Sequence, residues 1–271
     1  MGTIDQQSQA GLEGQTPPPV LEHSEAGITT LTLNNPARLN ILTQDMLEHL
    51  LTRLEALRDG GETRVIILAA NGKAFCAGHD LKVLRGGDPA DVEHLFSTCT
   101  RLMELLWAYP KPVIAQVQGN AVAAGCQLVA SCDIVMAAQG THFGATGIHA
   151  GLFCSTPMVP LSRVVPEKKA LEMLLTGDML TAQAAQEIGL VNHVPPPEEL
   201  ERATQEMARR IAAHSPFAIR LGKEAFRRQK DQELNAAYRI GQEAMVRNIL
   251  SEDGQEGISA FLEKRPPKYR P

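Results

Sequence analysis

Apolar and polar positions follow two different rhythms along this chain. At 27–34, "GITTLTLN" interleaves apolar residues with threonine, which predicts a half-buried strand. At 43–58, Met46, Leu47, Leu50, Leu51, Leu54 and Leu57 recur at helical spacing behind Thr43, a good N-cap. "RVIILAA" (64–70) and "KPVIAQVQG" (111–119) are nearly unbroken apolar runs, as expected of strands covered on both faces. Between them, "NGKAFCAGHDLKVL" (71–84) reads as a loop running into a helix, and 90–108 as an amphipathic helix. "AAGCQLVASC" (123–132) follows as a short helix and "DIVMAAQ" (133–139) as a third buried strand. Strand, helix, strand in this order predicts right-handed crossovers and an α/β fold with a mainly parallel sheet.

Past about residue 155 the rhythm changes. The only strand signal is a weak one at "LVNHV" (190–194). Helical patterns occupy 167–176, 181–188, 198–214, 216–230, 233–250 and 254–264, with Gly177 and Gly189 as stops. No internal repeat of fixed period is visible. The expected organisation is a disordered polar tail at 1–18, an α/β core at 19–200 and a helical C-terminal part at 201–271.

Composition narrows the class. The 271 residues carry a formal net charge of −5, which argues against a nucleic-acid binder with its basic face. The five cysteines are odd in number and none has CxxC spacing, so a disulfide framework and a metal site are not expected, and a reducing compartment is. No run approaches ~18 apolar residues, so no membrane span is expected. The first residues are polar and lack arginine, unlike a signal or transit peptide, which predicts a cytoplasmic protein.

Two loops carry the chemistry: "AFCAGHDLK" (74–82) and "GNAVAAGCQL" (119–128). Each follows a buried strand and opens a helix, where backbone N–H groups point outward. Side by side they would aim two donors at one oxygen, an oxyanion hole suited to an enolate or a tetrahedral intermediate. The small residues Gly119, Ala121, Ala123, Ala124 and Gly125 imply that some other backbone approaches the second loop closely.

Together with "NNPARLN", "CDIVMAA", "LTGDMLTAQAAQEIGLVNHV" and "EDGQEGISAFLEKRPP", these loops resemble the crotonase family, the enoyl-CoA hydratase/isomerase superfamily, over roughly 19–268. Within it, "GHDLK", "GLFCSTP" and "LEMLLTG" resemble the enoyl-CoA hydratase domain-containing protein 3 group. The resemblance implies a crotonase (ClpP-like) fold of repeated ββα units, with helical C-terminal parts between subunits of a homotrimer or a dimer of trimers. It implies an acyl-CoA thioester as ligand, with coenzyme A as part of the substrate and no separate cofactor. The carbonyl oxygen would sit between the backbone N–H groups of His79 and Ala124. CoA contacts would come from Ala37, Arg38 and Leu39, and from Ala77, Asp80, Leu81 and Lys82. Phe261 and Lys264 would reach the nucleotide, from the same or a neighbouring subunit.

The resemblance also creates a problem. Hydratases of the family place two glutamates around one water, and the matching positions here are Gln127 and Gly147. Glutamine cannot titrate and glycine has no side chain, so the general base and acid are both absent. Other groups are candidates: His149 could titrate near neutrality, and Cys154 or Ser155 could act as nucleophiles. "GHD" at 78–80 also resembles a decarboxylase branch, whose carboxylate-orienting tyrosine would fall near Cys154. His142 and His193 suggest no role. Four readings stand open: a fatty-acid-metabolism enzyme classed as an enoyl-CoA hydratase, a decarboxylase, a thioesterase and a non-catalytic acyl-CoA binder.

Overall fold

The computed structural model describes residues 17–270, so most of the tail expected at 1–18 lies outside the described residues. Two strands open the fold, β1 (Val20–Glu25) and β2 (Ile28–Leu33), joined by Ala26 and Gly27, both at positive φ. Those φ values match a two-residue hairpin turn that follows strand twist. β1 carries one buried residue, Val20, and five exposed ones, so it has none of the alternation that marks a strand in sequence. It is an edge strand held by its ladder to β2.

From β2 onward the first sheet is parallel. β3 (Val65–Ala70), β5 (Val113–Val117) and β7 (Ile134–Ala137) extend it in the order β1-β2-β3-β5-β7. Along β3, Val65, Ile67 and Ala69 face one apolar cluster, while Ile66 and Leu68 face another. The unbroken apolar run is thus explained by two covered faces.

A second sheet interrupts what the sequence suggested was loop. β4 (Ala74–Cys76), β6 (Asn120–Val122) and β8 (His142–Gly144) lie parallel, and β9 (Leu180–Thr181) closes the edge antiparallel to β8. The segment 71–84 therefore contains a strand as well as a helix. β3, β5 and β7 of the first sheet each feed a short strand of the second, and then a helical turn. This is a structural repeat of ββα form. Three-residue strands are too short to show a period, so the repeat leaves no trace in the hydrophobic pattern.

α1 (Gln44–Arg58) forms where expected, with Thr43 accepting from the Met46 N–H at 3.2 Å. α2 (Leu81–Leu84) is a single turn, and α3 (Pro89–Trp107) runs beside α1. α4 (Ala124–Ala130) is buried along its whole length, so it shows no amphipathic stripe. α5 (Met158–Val164), not expected from the sequence, precedes α6 (Glu167–Thr176) and α7 (Ala182–Glu187). Gly177 and Gly189 end these segments at positive φ. The weak strand signal near 190–194 amounts to one bridge, Met136 to His193.

α8 (Leu200–Ala212) lies on the far face of the first sheet, where Leu200 and Ala208 meet Ile67 and Ile114. α9 (Pro216–Gln229), α10 (Leu234–Ile249) and α11 (Glu252–Leu262) follow. α9 is fastened to the sheet by Lys223, which ion-pairs with Asp133 and donates to the Lys111 carbonyl at 2.8 Å. Arg227 adds a second contact to Asp133 and stacks 3.6 Å over the Trp107 ring. Burial lowers the pKa of Lys223 more than Asp133 raises it. The pair therefore fixes where α9 sits more than it adds stability.

Glycines separate tight contacts from open ones. A Cβ on Gly125 would meet the Cys76 carbonyl oxygen at 2.2 Å, whereas one on Gly222 in α9 would meet nothing within 4 Å. Gly125→Ala is expected to destabilise the fold by about 3 kcal/mol, since the obstacle is backbone. Gly222→Ala is expected to stabilise it by ~0.5–1 kcal/mol. Urea unfolding of the two variants checks this, and equal shifts would refute the packing described.

Candidate functional site

The two loops singled out by sequence meet at their glycines. Gly78 has φ +87°, and a Cβ there would stand 3.1 Å from the Ala123 Cβ and 3.3 Å from the Ala124 nitrogen. Gly125 lies against the Cys76 carbonyl, and Gly119 against the Lys73 carbonyl, each at 2.2 Å from a hypothetical Cβ. The backbone that crowds the small residues of the second loop is thus β4 and its flanks.

This contact places His79 and Ala124 next to one another. Among the described residues, neither backbone N–H donates to a group of the chain. Ala124 opens α4, where the first N–H groups have no intrahelical partner. Ala123 before it holds φ 49° and ψ −116°, outside the usual basins of an L-residue. It is pinned there by its N–H, which donates to the Gly144 carbonyl at 2.8 Å. Backbone strain of this kind, held by surrounding structure, is characteristic of functional loops.

A third loop joins from 36–42. Its Leu39 carbonyl accepts from the Ala77 N–H at 3.0 Å, and its Leu42 N–H donates to the Gly78 carbonyl at 2.8 Å. Ala37, Arg38 and Leu39 are thereby brought to Ala77, Asp80, Leu81 and Lys82, and Arg38 ion-pairs with Asp80. The organiser is Asn40, fully buried at φ 52°. Its amide donates to the Asn71 and Ala74 carbonyls at 2.8 and 2.9 Å, and its Oδ1 accepts from the Asn35 N–H at 2.8 Å. Sequence reading passed over Asn40. The available signal was an asparagine in a turn, the residue type that best tolerates this backbone region.

The His79 ring lies edge-on to Phe96, with centroids 5.1 Å apart. Its Nδ1 is 2.9 Å from the Leu42 carbonyl, which requires the proton on Nδ1. Nε2 is then an acceptor, and it is buried without a partner. Burial lowers the His79 pKa, and the Leu42 bond offsets only part of this. Gln127, 3 % exposed, likewise has an unpartnered buried Oε1.

At the other candidate position the backbone leaves no room. A Cβ on Gly147 would lie 2.6 Å from the Leu152 carbonyl oxygen and 2.8 Å from Cys154 Sγ. The Gly147 N–H donates to that sulfur at 3.3 Å, and its carbonyl accepts from the Leu152 N–H at 3.0 Å. Burial raises the pKa of Cys154, against the smaller pull of the Gly147 N–H. The thiols of Cys76 and Cys126 are pushed up to about 12 by burial. These sulfurs are small apolar fillers at neutral pH. His149 turns away to α6, with Nε2 3.2 Å from the Gly177 carbonyl. The Ser155 hydroxyl bonds the Phe153 carbonyl at 3.3 Å. Phe261 is 82 % exposed on α11, and Lys264 follows it at φ 55°; neither joins the three loops within one chain. Among the described residues no cluster of His, Cys, Asp or Glu could hold a metal ion, and no helix is long and apolar enough to cross a membrane.

The depressed pKa of His79 fixes a sign. The unfolded chain takes up this proton near pH 6.5 and the folded chain only at lower pH. Stability is therefore unaffected above that value and falls as pH drops below it. His79→Asn, which keeps a donor for Leu42, is expected to flatten this part of the stability profile between about pH 7 and 5. Urea midpoints across that range test it; an unchanged slope would show that His79 titrates normally.

The family model described as enoyl-CoA hydratase/isomerase matches residues 23–271. The rat enoyl-CoA hydratase domain-containing protein 3, mitochondrial, is 45% identical over 90% of this chain and 81% of its own. Its name places it in mitochondria, unlike the cytoplasmic expectation formed from the present sequence. Among solved structures, a Mycobacterium smegmatis enoyl-CoA hydratase superposes with a TM-score of 0.90 at 44% identity, covering 93% of this chain and 99% of the other. The human enoyl-CoA hydratase domain-containing protein 3 gives the same TM-score and identity, covering 93% and 100%. The mixed α/β fold, the order of its loops and these likenesses agree: the chain belongs to the enoyl-CoA hydratase/isomerase family, with the crotonase fold.

Proposed function

We propose that this protein binds acyl-CoA thioesters and polarises the thioester carbonyl between the backbone N–H groups of His79 and Ala124, without activating water for hydration. The observation that supports this reading is the contact of Gly78, the residue before His79, with Ala123 and Ala124, together with the lack of a backbone acceptor for the His79 and Ala124 N–H groups among the described residues. Such a pair stabilises negative charge as it develops on an oxygen, and it needs no titrating side chain. In this reading the 36–42 loop and Lys82 would hold the CoA moiety. Coenzyme A enters as part of the substrate.

Hydration needs a base on the water and an acid for the α-carbon, each worth ~10²–10⁴ in rate. Gln127 and Gly147 provide neither. The turn 147–154 also supports this reading, because it has closed around a residue without a side chain. Thioester cleavage through Cys154 is disfavoured by the raised pKa of that thiol. The decarboxylase reading lacks a group to orient a carboxylate: Cys154 stands near the place of the branch's tyrosine, and burial favours neutral His79. The cytoplasm is the compartment we propose, since an odd number of cysteines without CxxC spacing suits a reducing environment.

Calorimetry with butyryl-CoA is expected to show binding, weakened about tenfold in Lys82→Glu through lost phosphate attraction. Crotonyl-CoA hydration is expected to be very slow or undetectable. Gln127→Glu alone should raise it; adding Gly147→Glu should lower the unfolding temperature rather than give the cooperative gain of a restored pair. Robust hydration by the unaltered chain would overturn this view of the site.

We propose further that the chain assembles as a homotrimer or a dimer of trimers. α10 has no buried residue, and Leu234, Tyr238, Met245, Phe261 and Leu262 stand 58–82 % exposed on α10 and α11. Apolar surface of this extent on consecutive helices calls for a partner. The second copy would also bring Phe261 and Lys264 to a neighbouring site. Light scattering at micromolar concentration should report three or six copies; a monomer would refute the assembly.

A further inference from the structure

The chain beyond α11 turns back on the helix it has just left. At the helix end the Arg265 N–H donates to the Ala260 carbonyl at 3.0 Å, and the Lys264 N–H to the Phe261 carbonyl at 3.2 Å. This pair of bonds is a helix stop whose turning residue is usually glycine. Lys264 takes that place with φ 55°. A residue with a Cβ is held in this conformation at a cost. Glycine would make the same turn without strain, so the turn alone does not account for a lysine.

Residues 265–270 then run along one face of α11. Arg265 grips Glu256 with both terminal nitrogens, at 2.6 and 2.9 Å, and its Nε donates to Glu263 at 2.6 Å. The Lys268 N–H donates to the same Glu256 at 2.8 Å. The Tyr269 hydroxyl lies 3.2 Å from where a Gly257 Cβ would stand, so the tail is seated closely. Arg270 pairs with Glu252 at 2.6 Å, one turn before Glu256. At about 3.6 residues per turn, Glu252, Glu256 and Glu263 share a face. Asp253 and Ala260 are the buried positions, and exposed Phe261 falls on the side away from the glutamates. The three glutamates are thereby taken by arginines, and among the described residues exposed Lys264 pairs with no carboxylate.

We infer that Glu256 is a positioning residue: its fork to Arg265 holds the Lys264 backbone in the left-handed conformation and so presents the Lys264 ammonium to the phosphates of an acyl-CoA. This rests on the acyl-CoA reading above, in which Lys264 reaches the site of a neighbouring copy. A lone exposed ion pair would hold little, but a bidentate fork with a third bond from the Lys268 N–H fixes one geometry. An ammonium is a compact charge on a long flexible stem, so its aim depends on the backbone it leaves. Without the fork the last turn is free to unwind, and the lysine meets the phosphates in fewer of its conformations.

The test is a double-mutant cycle on the full chain, read by calorimetry with butyryl-CoA at low and at high salt. Lys264→Gly is expected to weaken binding about fivefold and to flatten its salt dependence, because one phosphate contact is gone. The same variant should raise the urea midpoint, since glycine relieves the strained turn. Glu256→Gln is expected to weaken binding about threefold in the unaltered background and to have no further effect once residue 264 is glycine. Arg265→Gln, which opens the fork from the other side, should repeat both results. Unchanged affinity in Glu256→Gln overturns the inference. An equal loss with and without Lys264 also overturns it, because Glu256 would then serve the fold alone. Binding undiminished in Lys264→Gly removes this inference and leaves the acyl-CoA reading standing. If the unaltered chain fails to bind butyryl-CoA, that reading falls, and this inference with it.

Discussion

One backbone contact governs the rest of the molecule: the start of α4 lies against the Cys76 carbonyl with no space for a side chain between them. That approach needs glycine at 125, and at Gly78 it needs a residue free to adopt positive φ. It also needs the short strands of the second sheet, because β4 and β6 must run in parallel to deliver both loops to one place. Ala123 takes up the remaining misfit in its own backbone. The long strands and the helices around them hold this junction still.

Burial sets the protonation of the groups around this junction. Burial favours the neutral form of His79 and the protonated form of the thiols of Cys76, Cys126 and Cys154. Under the proposed function, polarisation of a carbonyl would draw only on fixed backbone dipoles, which cost nothing to reorganise at the moment of reaction. Gln127 and Gly147 carry no titrating side chain. Among the described residues His79 Nε2 and Gln127 Oε1 are two of the buried side-chain atoms without a hydrogen-bond partner in the chain.

Much of this was legible in the sequence, and the omissions share a physical cause. The helices α1, α3 and α6 and the strands β3, β5 and β7 announce themselves because each buries a stripe or two full faces. β1 is exposed apart from Val20 and held by its ladder, so hydropathy says nothing of it. β4, β6 and β8 span three residues each, less than two periods of alternation. The two loops were visible through small residues at a strand–helix junction. Their mutual contact depends on tertiary backbone positions, and only the resemblance to a family anticipated it. Asn40 was invisible for the same reason, since it acts through the distant carbonyls of Asn71 and Ala74. The turn behind Gly147 is local, closing on Leu152 and Cys154, but it carries no hydrophobic period that would announce it.

The fastening of α9 by Lys223, Arg227 and Asp133 has a consequence for how the chain opens. Among α9, α10 and α11 the side chains buried in one chain are few: Leu221, Asp253 and Ala260. A segment with so little buried surface exchanges its amide protons by local release, well below the free energy of global unfolding. Asp133 is the point at which Lys223 and Arg227 tie this segment to the sheet, and Arg227 covers the Trp107 ring. The loop junction and the C-terminal helices thus differ in what holds them: backbone packing at Gly78 and Gly125 in the first, and in the second a polar contact that positions α9 and a stacked guanidinium.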